Sequence, residues 1–266
     1  MKKTLGCIRR ADEDWGLFKQ GDRVAVGVSG GKDSMLLLYA LHLYRKFKKT
    51  DFSIHAITLK LGFEPFDISP IQALCHELGI PYTCIDTDIA DVVFHIRKEK
   101  NPCSLCAKMR RGVLHDAAKA QGCNVLALGH SSDDVLETFL LSMFFEARLN
   151  TFSPISYLSR KDLLLTRPFA YLPEKHIISA VHRLQLPVVH NPCPANGASK
   201  RQDMKQLLTY MSEVIPGVKE RILHALMHDE HYALWNKQAL IGRLELLPHD
   251  TLHRAHTNAN PQEREG

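Results

Sequence analysis

At 266 residues, with 45% apolar and 24% charged residues, the chain lies in the ordinary globular range and is long enough for one α/β domain or one domain with a small extension. The balance of 34 Lys and Arg against 29 Asp and Glu gives a net charge of +5, which is compatible with a nucleic-acid partner but does not demand one. The positively charged N-terminus has no apolar stretch behind it, and the longest apolar run, Met35 to Tyr44, contains His42 and is too short to span a bilayer, so neither a secretory peptide nor a membrane span is expected and the chain reads as cytoplasmic.

Read in chain order, strands are predicted at Arg23–Val28, Ser53–Leu59, Tyr82–Asp86, Asn124–Leu128 and Leu163–Thr166, with helices over Met35–Lys46, Pro70–Leu78, Ser104–Ala120, Asp133–Glu146 and Pro173–Leu184. Ser69-Pro70 reads as an N-cap followed by proline at the first helical position, and Gly79 and Gly122 stand where helices should end in the left-handed conformation. The run from Asn124 to Leu128 is almost wholly apolar, as in a parallel strand covered on both faces. Leu61–Ser69 and Ala147–Lys161 read as loops able to cover a site. Alternating strands and helices predict a doubly wound parallel sheet, whose ligands bind beyond the carboxyl ends of the strands. After Pro187 the pattern changes. A short strand or turn, Val188-Val189-His190, leads into Asn-Pro-Cys-Pro, then to helical stretches over Ser199–Met211 and Pro216–Leu247, and to an apolar-poor tail from Pro248 expected to be disordered.

The densest signal is Arg-Val-Ala-Val-Gly-Val-Ser-Gly-Gly-Lys-Asp-Ser over residues 23–34. A β-branched strand runs into a glycine turn and at once into a helix. Gly30 and Gly31 let the backbone approach a ligand, the first-turn N–H groups point at its oxyanions, and Lys32 adds a positive charge. Val26 and Asp33 occupy positions where a Walker A loop needs Gly and Ser or Thr. Downstream, Gly129-His130-Ser-Ser-Asp-Asp134 follows an apolar strand and opens a helix. Ser132 or Asp133 reads as its N-cap, whereas a functional reading puts Asp134 near phosphates, to bind magnesium or handle a proton.

Of the seven cysteines, Cys103 and Cys106 form a C-x-x-C pair at a helix start and Cys193 sits in a second Asn-Pro-Cys. Spacing leaves three readings open: a three-cysteine 4Fe-4S cluster with one iron lacking a protein ligand, structural zinc completed by His190, or a redox disulfide between Cys103 and Cys106. Cys7, Cys75, Cys84 and Cys123 read as small buried hydrophobes. Lys108, Arg110 and Arg111 follow Cys106 directly and could meet nucleic-acid phosphates; Arg45–Lys49, Arg97-Lys98 and Lys200-Arg201 are further basic runs.

The Ser29–Ser34 string resembles the PP-loop of ATP pyrophosphatases. Together with Arg9-Arg10-Ala11, Gly21-Asp22-Arg23, Cys103-Ser-Leu-Cys106 with Arg110-Arg111-Gly112, Leu128-Gly129-His130 with Asp133-Asp134, Arg167-Pro168 and Cys193, it resembles the tRNA 2-thiocytidine synthetase family of PP-loop tRNA thiolases. The resemblance implies a Rossmann-like PP-loop domain over residues 1–190, a helical extension over 191–247 carrying the third cysteine, and a tail over 248–266. It implies ATP bound by Ser29, Gly30, Gly31, Lys32, Asp33, Ser34, Gly129 and His130, with Mg2+. It also implies a 4Fe-4S cluster on Cys103, Cys106 and Cys193, and a catalytic set of Asp33, Asp134, Arg110 and Cys193. The related thiouridine-forming branch has Lys where Arg110 stands, and Arg cannot serve as a base near neutral pH. The implied reaction is thiolation of a tRNA cytidine, with a cysteine-desulfurase-type sulfur donor and a homodimer as one possible assembly. Two other readings compete: a different PP-loop enzyme, of the tRNA thiouridine or lysidine type, and a non-catalytic nucleotide-binding module with structural zinc.

Overall fold

The computed structural model describes residues 1–48, 50–98, 102–189, 192–193 and 200–228. The chain divides into two compact units, Met1–Leu223 and His224–Gly266. The first holds the sheet and the helices around it; of the second, the described residues form only the end of the last helix.

The chain begins with α1 (Lys2–Trp15), an element the sequence analysis does not anticipate. Charged residues are interspersed along it, yet Thr4, Ile8, Ala11 and Asp12 form one buried stripe at helical spacing. Gly16 closes it in the left-handed conformation, φ 61°. Buried Asp12 accepts from the Phe18 N–H (3.1 Å) and the Tyr44 hydroxyl (2.7 Å) and pairs with Lys48. There follow β1 (Arg23–Gly27), α2 (Lys32–Phe47), β2 (Ser53–Lys60), α3 (Ser69–Glu77) and β3 (Tyr82–Asp86). Ser69 opens α3 rather than capping it: Ile68 is the N-cap, while Asp67 accepts the Ser69 N–H and hydroxyl. Gly79 and Gly122 are both left-handed, as expected.

A six-residue π-helical turn, Asp91–Ile96, precedes α4 (Pro102–Ala120). Then come β4 (Val125–Ala127), α5 (Ser132–Glu146), β5 (Ile155–Leu158), β6 (Leu163–Thr166), α6 (Glu174–Leu184), α7 (Lys200–Val214) and α8 (Val218–Met227). Val188 and Val189 are irregular. His190, the helical stretch expected beyond residue 228 and the tail over 248–266 lie outside the described residues.

The sheet order is β3-β2-β1-β4-β6-β5. All neighbours are parallel except β5, which pairs antiparallel with β6 inside what reads in the sequence as a loop. The expectation of a doubly wound parallel sheet therefore stands, with one antiparallel edge strand. Alternate strand residues feed opposite layers. Val24, Val26, Ile54, Ala56, Val125 and Ala127 pack with α1, α2, α3 and α6. Ala25, Ile57, Leu126, Leu163 and Leu165 pack against Ala117 and Ala118 of α4. Sequential crossovers run outward from β1 through β2 to β3, and the chain then returns to β4 on the other side of β1. The topological switch thus falls between β1 and β4, where a crevice opens at the carboxyl ends of both strands.

Candidate functional site

The PP-loop occupies that crevice. Gly30 has φ +82°, and a Cβ there would lie 2.9 Å from the Cβ of Val189. Only glycine fits both the dihedral and the approach. The Val189 N–H donates to the Gly30 carbonyl (2.9 Å), so the segment leading to Cys193 straps the loop from outside. The Ser34 hydroxyl accepts the Ser29 N–H (3.1 Å) and donates to the Gly31 carbonyl (2.9 Å), which closes the turn. Gly31 is the N-cap of α2 and offers no side chain, so no side-chain oxygen claims the first-turn N–H groups and they are left to a ligand anion.

Lys32 is held between Asp33 Oδ2 and Glu174 Oε1, each at 2.9 Å. Burial works against its ammonium, but the two carboxylates outweigh burial and keep its pKa above the usual lysine value. Asp33 is pushed up by burial, with repulsion from Asp134 and Glu174 adding to it against the pull of Lys32. Glu174 also takes Lys205 at 2.7 Å. Burial opposes its charge, and the bonds to Lys205 and Lys32 overcome this and lower its pKa.

The start of α5 lies against the start of α2. A Cβ on Gly129 would meet the Asp33 carbonyl oxygen at 3.0 Å and its carbon at 3.1 Å, so Gly129 allows two backbones to touch. The N-cap of α5 is Ser131, one residue before Ser132 and two before Asp133, the caps expected from sequence. Asp134 completes a capping box, its Oδ2 accepting the Ser131 N–H (2.8 Å) and hydroxyl (2.9 Å). Its other oxygen takes Arg201 at 3.2 Å. Arg201 also pairs with Glu137 (3.2 Å) and donates to Thr138 Oγ1 (3.0 Å), which fastens α7 to α5. Burial, then Asp134, raises Glu137 to about 7. Asp133 has a structural role, accepting the Glu174 N–H (2.7 Å) and pairing with Lys219 (2.8 Å).

Beyond β6 the electrostatics change. Arg167 is buried, with its guanidinium 4.7 Å over the Phe152 ring; Phe152 in turn lies 5.0 Å from the His130 ring. Arg167 Nη1 donates to the Ser153 carbonyl at 2.5 Å. Arg167 Nε and His130 Nδ1 are both enclosed without a hydrogen-bond partner. Burial, then Arg111, brings Arg167 down to about 10. Burial brings His130 down to about 4, against the pull of Asp134 and helped by Arg167, Arg201 and Arg110. Its imidazole is neutral at physiological pH.

The α4 helix begins at the carboxyl edge of the sheet, which sets its first turns over the crevice. Cys103 there is exposed, and Cys106 is buried beside Leu61, Ile89 and Val93. Burial raises the Cys106 thiol; Arg110 lowers it, and Cys193 and Cys103 raise it. Cys106 therefore lies within electrostatic reach of both other thiols. Among the described residues no three His, Cys, Asp or Glu side chains are drawn into a metal-holding arrangement. His190, the expected fourth zinc ligand, lies outside the described residues. Cys7, Cys75, Cys84 and Cys123 each have a thiol pKa raised by burial, which fits inert packing.

Three comparisons bear on this geometry. The model of the PP-loop domain matches residues 7–209. The tRNA-cytidine(32) 2-sulfurtransferase of Geobacter sulfurreducens is 38% identical over 231 residues, 85% of this chain and 89% of that protein. The chain belongs to the tRNA-cytidine(32) 2-sulfurtransferase family. Another member, from Citrifermentans bemidjiense, is 36% identical over 229 residues, 84% of this chain and 90% of its own length. Among solved structures, the U34-tRNA thiolase NcsA from Methanococcus maripaludis with its [4Fe-4S] cluster superposes with a TM-score of 0.72 at 26% identity, covering 87% of this chain and 79% of that one.

The residues singled out from sequence thus fall into two groups. Ser29 to Ser34, Gly129 and Asp134 meet at the heads of α2 and α5. His130 lies on the β6 side, beside Phe152 and Arg167, while Arg110, Cys103 and Cys106 lie on α4, with Cys193 within electrostatic reach of Cys106. Sequence reasoning missed Glu174, Lys205 and Glu137, and it read Lys200-Arg201 as a surface basic run although Arg201 is committed to Asp134 and Glu137. No local pattern marks these pairs, because their partners are far apart in the chain.

Proposed function

We propose that the chain thiolates a cytidine of tRNA to 2-thiocytidine at the cost of ATP. The observation that carries this reading is the shared edge. The uncapped head of α2, with Lys32, and the three thiols around α4 face the same end of the sheet. Val189 touches the PP-loop only four residues before Cys193, so the chain between them spans at most about 14 Å.

The first step joins the cytosine O2 to the α phosphorus of ATP and expels pyrophosphate, which turns a poor leaving oxygen into AMP. The first-turn N–H groups of α2 and Lys32 would receive the charge that develops on the phosphates. Mg2+ would arrive with the nucleotide and meet the carboxylates of Asp33 and Asp134. The Oδ2 of Asp134 is already engaged by Ser131, so its Oδ1, now on Arg201, is the atom that can turn to the phosphates. In the second step sulfur bonds to C2 and the C2–O bond breaks, releasing AMP. A 4Fe-4S cluster held by Cys103, Cys106 and Cys193 fits an all-thiolate donor set, with Cys106 within electrostatic reach of the other two thiols, and would present sulfide; sulfane sulfur from a desulfurase-type donor would replenish it on reduction by two electrons. Arg110 would hold an anion rather than move a proton. No helix among the described residues is long and apolar enough to cross a membrane, and a reaction on tRNA and ATP fits a cytoplasmic protein.

The deciding experiment is anaerobic purification with iron, sulfide and zinc determination, followed by single-turnover assays on unmodified tRNA. Stoichiometric iron, tRNA-dependent pyrophosphate release and 2-thiocytidine in the digested tRNA are expected. Active iron-free protein would move the chain to another PP-loop chemistry, and zinc without turnover would reduce it to a nucleotide-binding module.

A further inference from the structure

We propose that Arg167, faced by Arg111, forms a second oxyanion subsite, separate from the PP-loop, which takes a phosphate of the RNA strand beside the target cytidine. This rests on the thiolation reading for its source of phosphate, though not for the existence of the subsite.

Arg167 is the first residue after β6 and is only 8% exposed. A buried guanidinium is costly unless a counter-ion compensates it. The cations at the heads of α2 and α5 have one: Lys32 and Lys205 share Glu174, Arg201 holds Asp134 and Glu137, and Lys219 holds Asp133. Among the described residues no carboxylate lies within ion-pair distance of Arg167. Arg111 lies within electrostatic reach of it and carries a charge of the same sign. Its stacking on Phe152 and its bond to the Ser153 carbonyl orient the fork without neutralising it. Nε is enclosed and unpaired, whereas Nη2 is not enclosed and has no partner among the described residues, so one nitrogen is left for a ligand.

The place is as informative as the charge. Carboxyl ends of strands are where ligands of such sheets bind. Arg167 stands at the end of β6, two strand spacings or about 10 Å from the end of β1, where the PP-loop lies. Between them, at the end of β4, is His130, neutral and with an enclosed, unpartnered Nδ1 of its own. Arg111 is exposed on α4, so the subsite opens to solvent on the side of the thiols. A planar fork suits a phosphate oxyanion, and the PP-loop already supplies the nucleotide phosphates with donors. The phosphate still lacking a partner is that of the RNA backbone; a phosphate of ATP is the other source of the same chemistry.

The test compares binding of unmodified tRNA and of Mg-ATP to wild-type protein, Arg167→Gln, Arg167→Lys and Arg111→Gln, with tRNA affinity followed across salt concentration. Both Gln variants should weaken tRNA about tenfold and lower the slope of log affinity against log salt by about 0.7–0.9, the share of one phosphate contact, with ATP affinity changed less than about twofold. Arg167→Lys should keep the slope and lose part of the affinity. ATP weakened with tRNA unchanged would uphold the subsite and assign it to the nucleotide. Unchanged affinity for both ligands in Arg111→Gln, whose exposed helix position spares the fold, would overturn the proposal even if Arg167→Gln fails to fold. If wild-type protein binds no tRNA at all, the thiolation reading fails and the ATP arm alone decides the subsite.

Discussion

The two sides of the crevice are electrostatic opposites. Around the PP-loop each cation has its carboxylate: Lys32 with Asp33 and Glu174, Lys205 with Glu174, Arg201 with Asp134 and Glu137. Around the end of β6 the pairing is missing: among the described residues Arg167 has no counter-ion, and His130 Nδ1 is enclosed without a hydrogen bond. A side whose charges are already paired can be held rigidly before any ligand binds, and ATP must then compete with Asp33 and Glu174 for Lys32. A side left uncompensated is completed by what binds there. The difference predicts that the two sides can be disabled separately.

The largest effect is expected from Cys193→Ser. Thiolation should fall below detection while tRNA-dependent pyrophosphate release continues, because no step before loss of AMP needs sulfur. Parallel measurement of pyrophosphate and nucleoside composition reads both. Loss of both signals with the fold intact would mean that the segment carrying Cys193 also organises the ATP side, as the hydrogen bond from Val189 to Gly30 allows. Next is Lys32→Ala, expected to slow pyrophosphate release about 10²–10³-fold, the effect typical of removing one donor to a developing anion. Its iron content should be unchanged. Near wild-type release would remove Lys32 from the chemistry.

Gly30→Ala probes the seam between the sides. Alanine at φ +82° with its Cβ 2.9 Å from that of Val189 must strain the loop or displace the strap. A stability loss of about 1–3 kcal/mol is expected in urea unfolding, with ATP affinity and thiolation both reduced. Thiolation reduced with ATP affinity unchanged would show that only the strap had moved.

How much of this was legible in the chain depends on locality. The PP-loop was, because its chemistry lies in consecutive residues from Ser29 to Ser34 and its flanking strand and helix carry their own patterns. The head of α5 was legible to within one residue, since Ser131, Ser132 and Asp133 all carry side chains able to cap. The antiparallel β5 was not: it is a four-residue edge strand with Tyr157 facing solvent, and it gives no apolar run. The helix α1 was hidden for a related reason, its buried stripe being diluted by Lys, Arg, Asp and Glu. Glu174 with Lys32, and Arg201 with Asp134, join residues brought together only by the sheet order. The most informative feature of Arg167, the counter-ion it lacks, has no expression in sequence at all.

The smallest net effect expected in the wild-type protein is on the pH dependence of stability, and it sharpens the comparison by setting one residue of each side against the other. His130 has a folded pKa of about 4, below its ordinary 6.5, because burial disfavours its cation. Between those values the unfolded chain takes up a proton that the folded protein refuses. His130 therefore makes stability rise with pH from about 4 to 6.5, by up to about 3 kcal/mol. Glu137 has a folded pKa of about 7, above its ordinary 4.5, again chiefly through burial. Between 4.5 and 7 the folded protein holds a proton that the unfolded chain has lost, so this group makes stability fall with pH by a similar amount. The two slopes oppose each other across most of the same window. Urea unfolding at several pH values should show wild-type protein with a shallower dependence than either variant. Relative to wild type, His130→Gln should add a downward slope with rising pH, and Glu137→Gln an upward one. Parallel pH profiles for wild type and His130→Gln would mean that the imidazole takes up its proton in the folded protein near its ordinary pKa. The β6 side would then already contain water or an anion that compensates it, and its contrast with the paired charges of the PP-loop side would disappear.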